Sequence, residues 1–133
     1  MFMLKKIGLV IGIILVVLIV VAGVMFIRFQ SMASNVKAQY SALKPVDLRQ
    51  VKDGVYEGSF GDFLVAVKVK VTVKYHRIRE VKIVEQRCGA GYEALDTTSR
   101  IVKAQQPKVD AVTGASGSSM AIMIAVKRAL TGK

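Results

Sequence analysis

Between Val109 and Ser119 the sequence VDAVTGASGSS crowds one carboxylate, Asp110, four hydroxyls (Thr113, Ser116, Ser118 and Ser119) and two glycines, Gly114 and Gly117, just before an apolar run. That combination suits phosphate. Glycine can take positive φ and let backbone N–H groups converge on an anion, and the hydroxyls add further donors. From Met120 to Leu130, apolar residues recur at Ile122, Ala125, Val126 and Ala129, so a helix is expected behind the turn, its positive end facing the hydroxyls. The same residue types are also ordinary N-cap chemistry, and composition does not choose between a ligand site and a plain cap. No GK[ST] follows a strand and no GxGxxG precedes a helix, which excludes the nucleotide-binding loops built on those patterns.

Elsewhere the chemistry is sparse. No carboxylate pair, Ser-His-Asp set or metal-ligand spacing accompanies the hydroxyl loop, so a self-sufficient catalytic centre is not expected. His76 is the one histidine and falls at an expected turn, without a second ligand at metal spacing. Cys88 is the one cysteine, which rules out an intrachain disulfide and leaves a free thiol with no histidine paired to it. It lies in a Gly-containing stretch, Gln86 to Gly91, that is either a flap over a bound ring or a connector.

The run Asp110-Ala111-Val112-Thr113-Gly114-Ala115-Ser116 resembles the D-x-x-[ST]-G-A-[ST] signature of the FMN-binding domain family, which includes subunits of the sodium-translocating NADH:quinone oxidoreductase and of Rnf-type electron-transport complexes. DGVYEGSF at 53–60, the alternating strand after it and IVKAQQPKVDAV before the loop also stand in family order, so the resemblance covers roughly 53–130. It implies FMN as cofactor, joined through its phosphate to the last hydroxyl of the signature by a flavin transferase that takes FAD and releases AMP. That position is Ser116, where the family most often has Thr; a serine hydroxyl can form the same phosphoester. Asp110 and Thr113 would brace the loop or be read by the transferase. Gly114 and Ala115 would admit the backbone approach, and Gly117, Ser118 and Ser119 would complete the cofactor-binding set. The implied role is an electron carrier with membrane redox partners. A reversible FMN or phosphate-binding module and a structural membrane subunit are the other readings.

The elements that must position this loop are legible upstream. Gly54 to Phe60 reads as a short strand followed by a turn at Gly61-Asp62. In Val65 to Lys74, valines at 65, 67, 69, 71 and 73 alternate with Lys68, Lys70, Thr72 and Lys74, the pattern of a half-buried antiparallel strand. Tyr75-His76-Arg77 should turn the chain into a third strand, Ile78 to Glu85, with Val81 and Ile83 inward. Tyr92 to Gln106 places Leu95, Thr98, Ile101 and Val102 on one side of a helix that Pro107 ends. The expected fold class is α+β: a small antiparallel sheet with two helices, preceded by one transmembrane helix.

That helix is the unbroken apolar run Ile7 to Ile27, 21 residues flanked by Lys5, Lys6 and Arg28. At about 1.5 Å per residue it spans roughly 30 Å, the thickness of a bilayer's hydrocarbon core. Its length exceeds the usual h-region of a secretory signal, so an uncleaved signal anchor is expected. Residues 1–6 would be a short cytoplasmic N-terminus, 28–52 a tether and 53–133 the FMN-binding domain. Met32, Val36, Tyr40 and Leu43 extend the helical spacing toward Pro45. Charges flanking the span do not fix its orientation, and the family resemblance implies a domain outside the cytoplasm. Gly8 and Gly12 form a GxxxG through which two such helices can approach as a homodimer. The net charge is +11 and, leaving out Lys5 and Lys6, +9, suited to anionic lipid, cell-wall polymer or phosphate cofactors. The basic residues do not interleave with stacking aromatics, so no nucleic-acid partner is expected.

Overall fold

A computed structural model describes residues 1–88, 94–112, 114 and 116–132 of the chain. The chain divides into two compact units, Met1–Ser31 and Met32–Lys133. The first is helical throughout apart from Met1, with its apolar side chains exposed, and is part of α1 (Phe2–Ser41). α1 is long and apolar enough to cross a membrane, as an anchor or a signal sequence.

The second unit is α+β. β1 (Gly54–Asp62), β2 (Val65–Lys74) and β3 (Arg77–Arg87) form an antiparallel meander in the order β1-β2-β3, followed by α2 (Asp96–Ala104) and α3 (Ser116–Thr131). β2 occupies the bounds its alternation predicts. Val67, Val69, Val71 and Val73 are buried, while Lys70 and Lys74 face solvent. β1 is two residues longer than expected, because Gly61 and Asp62 pair with Ala66 and Val65, and the turn moves to Phe63-Leu64. In β3 the buried residues are Ile78 and Val81, three apart, while Ile83 is half-buried. Val73 pairs with Ile78 but Thr72 with Glu80, so Arg79 is an extra residue that resets the alternation.

The β2–β3 hairpin turns on Tyr75 and His76, at φ 54° and 59°, a conformation more usual for Asn-Gly. Side chains from the preceding segment hold it there. Asp53 Oδ1 accepts from the Tyr75 N–H at 2.8 Å, and His76 Nδ1 lies 3.2 Å from the carbonyl oxygens of both Leu48 and Val51, to which a protonated Nδ1 donates. His76 therefore has a structural task in the turn.

α3 packs across β1 and β2. The expected face of Ile122, Ala125, Val126 and Ala129 is buried, and so are Ala121, Met123, Ile124 and Leu130. Burial almost all round requires cover on the side away from the sheet, and residues of 32–43 supply part of it. Gln39, Ala42 and Leu43 border a small groove with Ile124, Lys127 and Arg128, and Gln39 Oε1 accepts from Arg128 Nη2 at 3.0 Å. Met32, Val36, Leu43 and Val51 are all buried in the core of this unit, and Asn35 Nδ2 donates to Asp62 Oδ2 at 2.8 Å. The stretch expected as a tether is thus packed from Met32 onward, since the apolar positions that extend the helix also complete the core. Within it Asp47 caps a short turn at Leu48–Gln50; the side-chain hydrogen bond from Arg49 holds its carboxyl below the usual pKa.

On the sheet side α3 comes very close at Gly58. A Cβ there would collide with the Ala125 carbonyl oxygen and with the Ala129 backbone nitrogen and Cβ.

Candidate functional site

The approach to the hydroxyl loop starts in α2. Ile101 is buried and Thr98 and Val102 half-buried on the expected side of this helix, but Leu95 is 62% exposed and Thr97 is buried in addition. Leu95 lies before the first helical residue, Asp96, and so leaves the helical face, while Thr97 and Ile101, four apart, are fully buried. The expected start at Tyr92, like Gly89, Ala90 and Gly91, lies outside the described residues. The helix ends at Ala104, before Gln106, with Gln105 in the left-handed conformation at φ 57° and its N–H bonded to the Ile101 carbonyl.

Two consecutive glutamines then clip this turn to its neighbours. Gln105 Oε1 accepts from the Ile78 N–H at 2.8 Å and its Nε2 donates to the Ile78 carbonyl at 2.9 Å. Gln106 does the same to Val46, at 2.8 and 3.0 Å. Each side-chain amide imitates a strand neighbour, so the backbone groups of Ile78 and Val46 are satisfied on both sides of the turn. Pro107 is buried, and beyond it Lys108 Nζ sits 4.9 Å from the Tyr40 ring centre. Tyr40 Oη donates to the Val109 carbonyl at 3.4 Å.

The loop itself is bracketed twice. Arg100 Nη1 donates to the carbonyl oxygens of Asp110 at 3.1 Å and Ala111 at 3.2 Å, while its Nε donates to Asp96 Oδ2 at 2.9 Å. The Val112 N–H then donates to Ser119 Oγ at 2.9 Å, across seven residues. Arg100, Lys103 and Lys108 line a cavity of about 770 Å³ together with Tyr40, Ala104, Val109 and Asp110.

α3 begins at Ser116, four residues before the expected start, so Ser116 to Ser119 form its first turn. Gly114 takes the positive φ anticipated for it, 81°, with open space where a Cβ would stand. Gly117 is helical instead, because it lies inside α3. Asp110, Gly114, Ser116 and Gly117 are exposed, whereas Ser118 and Ser119 are buried. Thr113 and Ala115 lie outside the described residues. The first turn of α3 carries no acidic residue, so nothing there opposes an anion at its positive end.

A family model described as "FMN-binding domain" matches residues 65–131, which takes in β2, β3, α2, the hydroxyl loop and α3. The chain belongs to the FMN-binding domain family. No curated protein and no solved structure matches it. FMN is its cofactor, and the residues present fit that group: an exposed hydroxyl opens a helix free of acidic residues at its start, beside a glycine in left-handed backbone. Among the described residues no three His, Cys, Asp or Glu gather as a metal site.

Sequence reasoning missed Gly58, Arg100, Gln105 and Gln106. Of these only Arg100 carries a local signal, its spacing of four from Asp96 on a helix, and that signal points to a surface ion pair rather than to loop carbonyls.

Proposed function

We propose that this protein is a membrane-anchored flavoprotein that carries FMN as a phosphoester on Ser116 and relays electrons in a membrane-associated redox chain. One observation carries the choice of acceptor. Among the described serines of the loop, Ser116 alone presents its side chain to solvent; Ser118 is buried, and Ser119 is buried with its Oγ engaged by Val112. In the attachment step Ser116 Oγ attacks the phosphorus on the FMN side of FAD's phosphoanhydride. The Oγ–P bond forms, the P–O bond to AMP breaks, AMP leaves with that oxygen, and the serine proton is released. A flavin transferase supplies FAD and the base.

FMN supplies the electron-transfer chemistry when bound. The protein's part is to hold and expose it. The first-turn N–H groups of α3 would hold the phosphate, while Gly114 gives the chain its left-handed bend and Ser119 fastens the start of the loop to the helix. A covalent link also suits a domain outside the cytoplasm, the location favoured here, because a dissociable mononucleotide would be diluted away. Redox partners would then meet the cofactor at the membrane surface.

The test is in-gel flavin fluorescence of the denatured protein after expression with and without a flavin transferase. Fluorescence that depends on the transferase is the expected result. Flavin that leaves on denaturation would instead indicate reversible binding, and a colourless protein beside an active transferase would indicate a structural subunit.

A further inference from the structure

Arg100 joins α2 to the backbone just upstream of the acceptor. Its guanidinium reaches two successive loop carbonyls, those of Asp110 and Ala111, from one nitrogen, while a second nitrogen is fixed by Asp96 on the preceding helical turn. A planar fork held at one side by a carboxylate has little freedom left at the other, so the positions of the two carbonyls are set by α2. The next residue, Val112, is tied by its N–H to Ser119 in α3. The loop thus enters between two fixed points, and only 113–115 separate the second of them from Ser116.

The geometry points to Arg100 as a positioning residue for flavin attachment, acting through the loop backbone on where Ser116 Oγ stands, with Asp96 orienting Arg100. This rests on Ser116 being the acceptor. Nucleophilic attack on phosphorus depends steeply on placement, since a small misplacement of an attacking group lowers the rate by large factors. Recognition of the signature side chains by the transferase does not pass through Arg100, whose bonds to the loop go to backbone carbonyls common to every residue. Its loss should therefore appear in turnover rather than in affinity for the acceptor protein.

The test is transferase kinetics on the full-length protein in detergent, with FAD saturating and the acceptor protein varied. Arg100→Ala should lower kcat for attachment at least about tenfold while KM for the acceptor changes less than about threefold. Arg100→Lys keeps the charge but not the fork and should recover only part of that loss. Asp96→Asn should lower kcat by a smaller factor without affecting folding, since the Asp96 side chain is 63% exposed. Arg79→Ala removes an exposed cation that lines the same groove as Arg100 but, among the described residues, bonds to no loop carbonyl, and should leave both parameters at parent values. Attachment to Arg100→Ala at the parent rate would overturn the proposal while leaving Ser116 as acceptor. So would an equal loss in Arg79→Ala, or a loss confined to KM, either of which would mean charge-guided docking. Should Arg100→Ala not fold, Arg100→Lys and Asp96→Asn decide: parent kcat in both overturns the proposal. A parent protein that is never labelled, or labelling that persists in Ser116→Ala, refutes the acceptor assignment instead.

Discussion

Gly58→Ala adds a single methyl group where α3 packs tightly against β1. That methyl would meet the Ala125 carbonyl oxygen and the Ala129 backbone nitrogen as well as the Ala129 methyl. Two of the three obstacles are backbone atoms in mid-helix, which cannot rotate away, so α3 must move bodily from the sheet. Overpacking where side chains can give costs about 1–3 kcal/mol. Here the upper end of that range, about 3 kcal/mol, is the floor. For a domain near 100 residues each kcal/mol shifts Tm by roughly 4–8 °C, which gives a drop of about 12 °C or more. The chain has no Trp, so melting is best followed by tyrosine fluorescence on the full-length protein in detergent. Ala129→Gly in the Gly58→Ala background removes only the methyl obstacle and should recover a minor part of the loss. A Tm within about 2 °C of the parent, or full recovery in the double variant, would refute the close backbone approach.

Other outcomes follow from the packing and topology. A chain beginning at Asp53 lacks the buried Met32, Val36, Leu43 and Val51; at about 1.5–3 kcal/mol each, their loss should exceed about 5 kcal/mol and leave the domain unfolded by circular dichroism, whereas a chain beginning at Arg28 should fold. Among the described residues Thr97 Oγ1 is buried with no hydrogen-bond partner, so Thr97→Val should raise stability by about 1 kcal/mol in urea titration, and a loss of more than that would show a partner for the hydroxyl. If the domain lies outside the cytoplasm, Val55→Cys in a Cys88→Ser background, at a residue 62% exposed, should react with a membrane-impermeant maleimide in intact cells; labelling only after lysis would reverse the orientation.

The sheet was legible because β2 alternates strictly and lies in the middle, so its period reports one buried and one solvated face. β3 was less so, because a bulge at Arg79 breaks the period that sequence reading relies on. In α2 the spacing placed Ile101, Thr98 and Val102 correctly, and Leu95 fell outside because the helix begins only at Asp96. The span 32–51 reads as a tether by composition, and its packing emerges only once α3 proves apolar on more than one face. For the site, residue types sufficed to place a turn before α3, since Gly114 supplies its left-handed backbone and Ser116 opens the helix, but a turn and a cap share these residue types. What holds the loop was invisible. Arg100, Gln105 and Gln106 act on backbone carbonyls and amides far along the chain, and backbone groups leave no mark in a sequence.

The attachment of FMN to Ser116 is tested most directly by mass spectrometry of the tryptic peptide Val109–Lys127, after co-expression with an active flavin transferase. The parent peptide should carry the mass of FMN less water, with fragmentation placing it on Ser116. Ser116→Ala should carry none and still fold, with a change of no more than about 1 kcal/mol if a cap is also lost. Ser116→Thr should be labelled at least as fully as the parent. An unlabelled parent peptide, or the same mass increase on Ser116→Ala, would contradict the assignment.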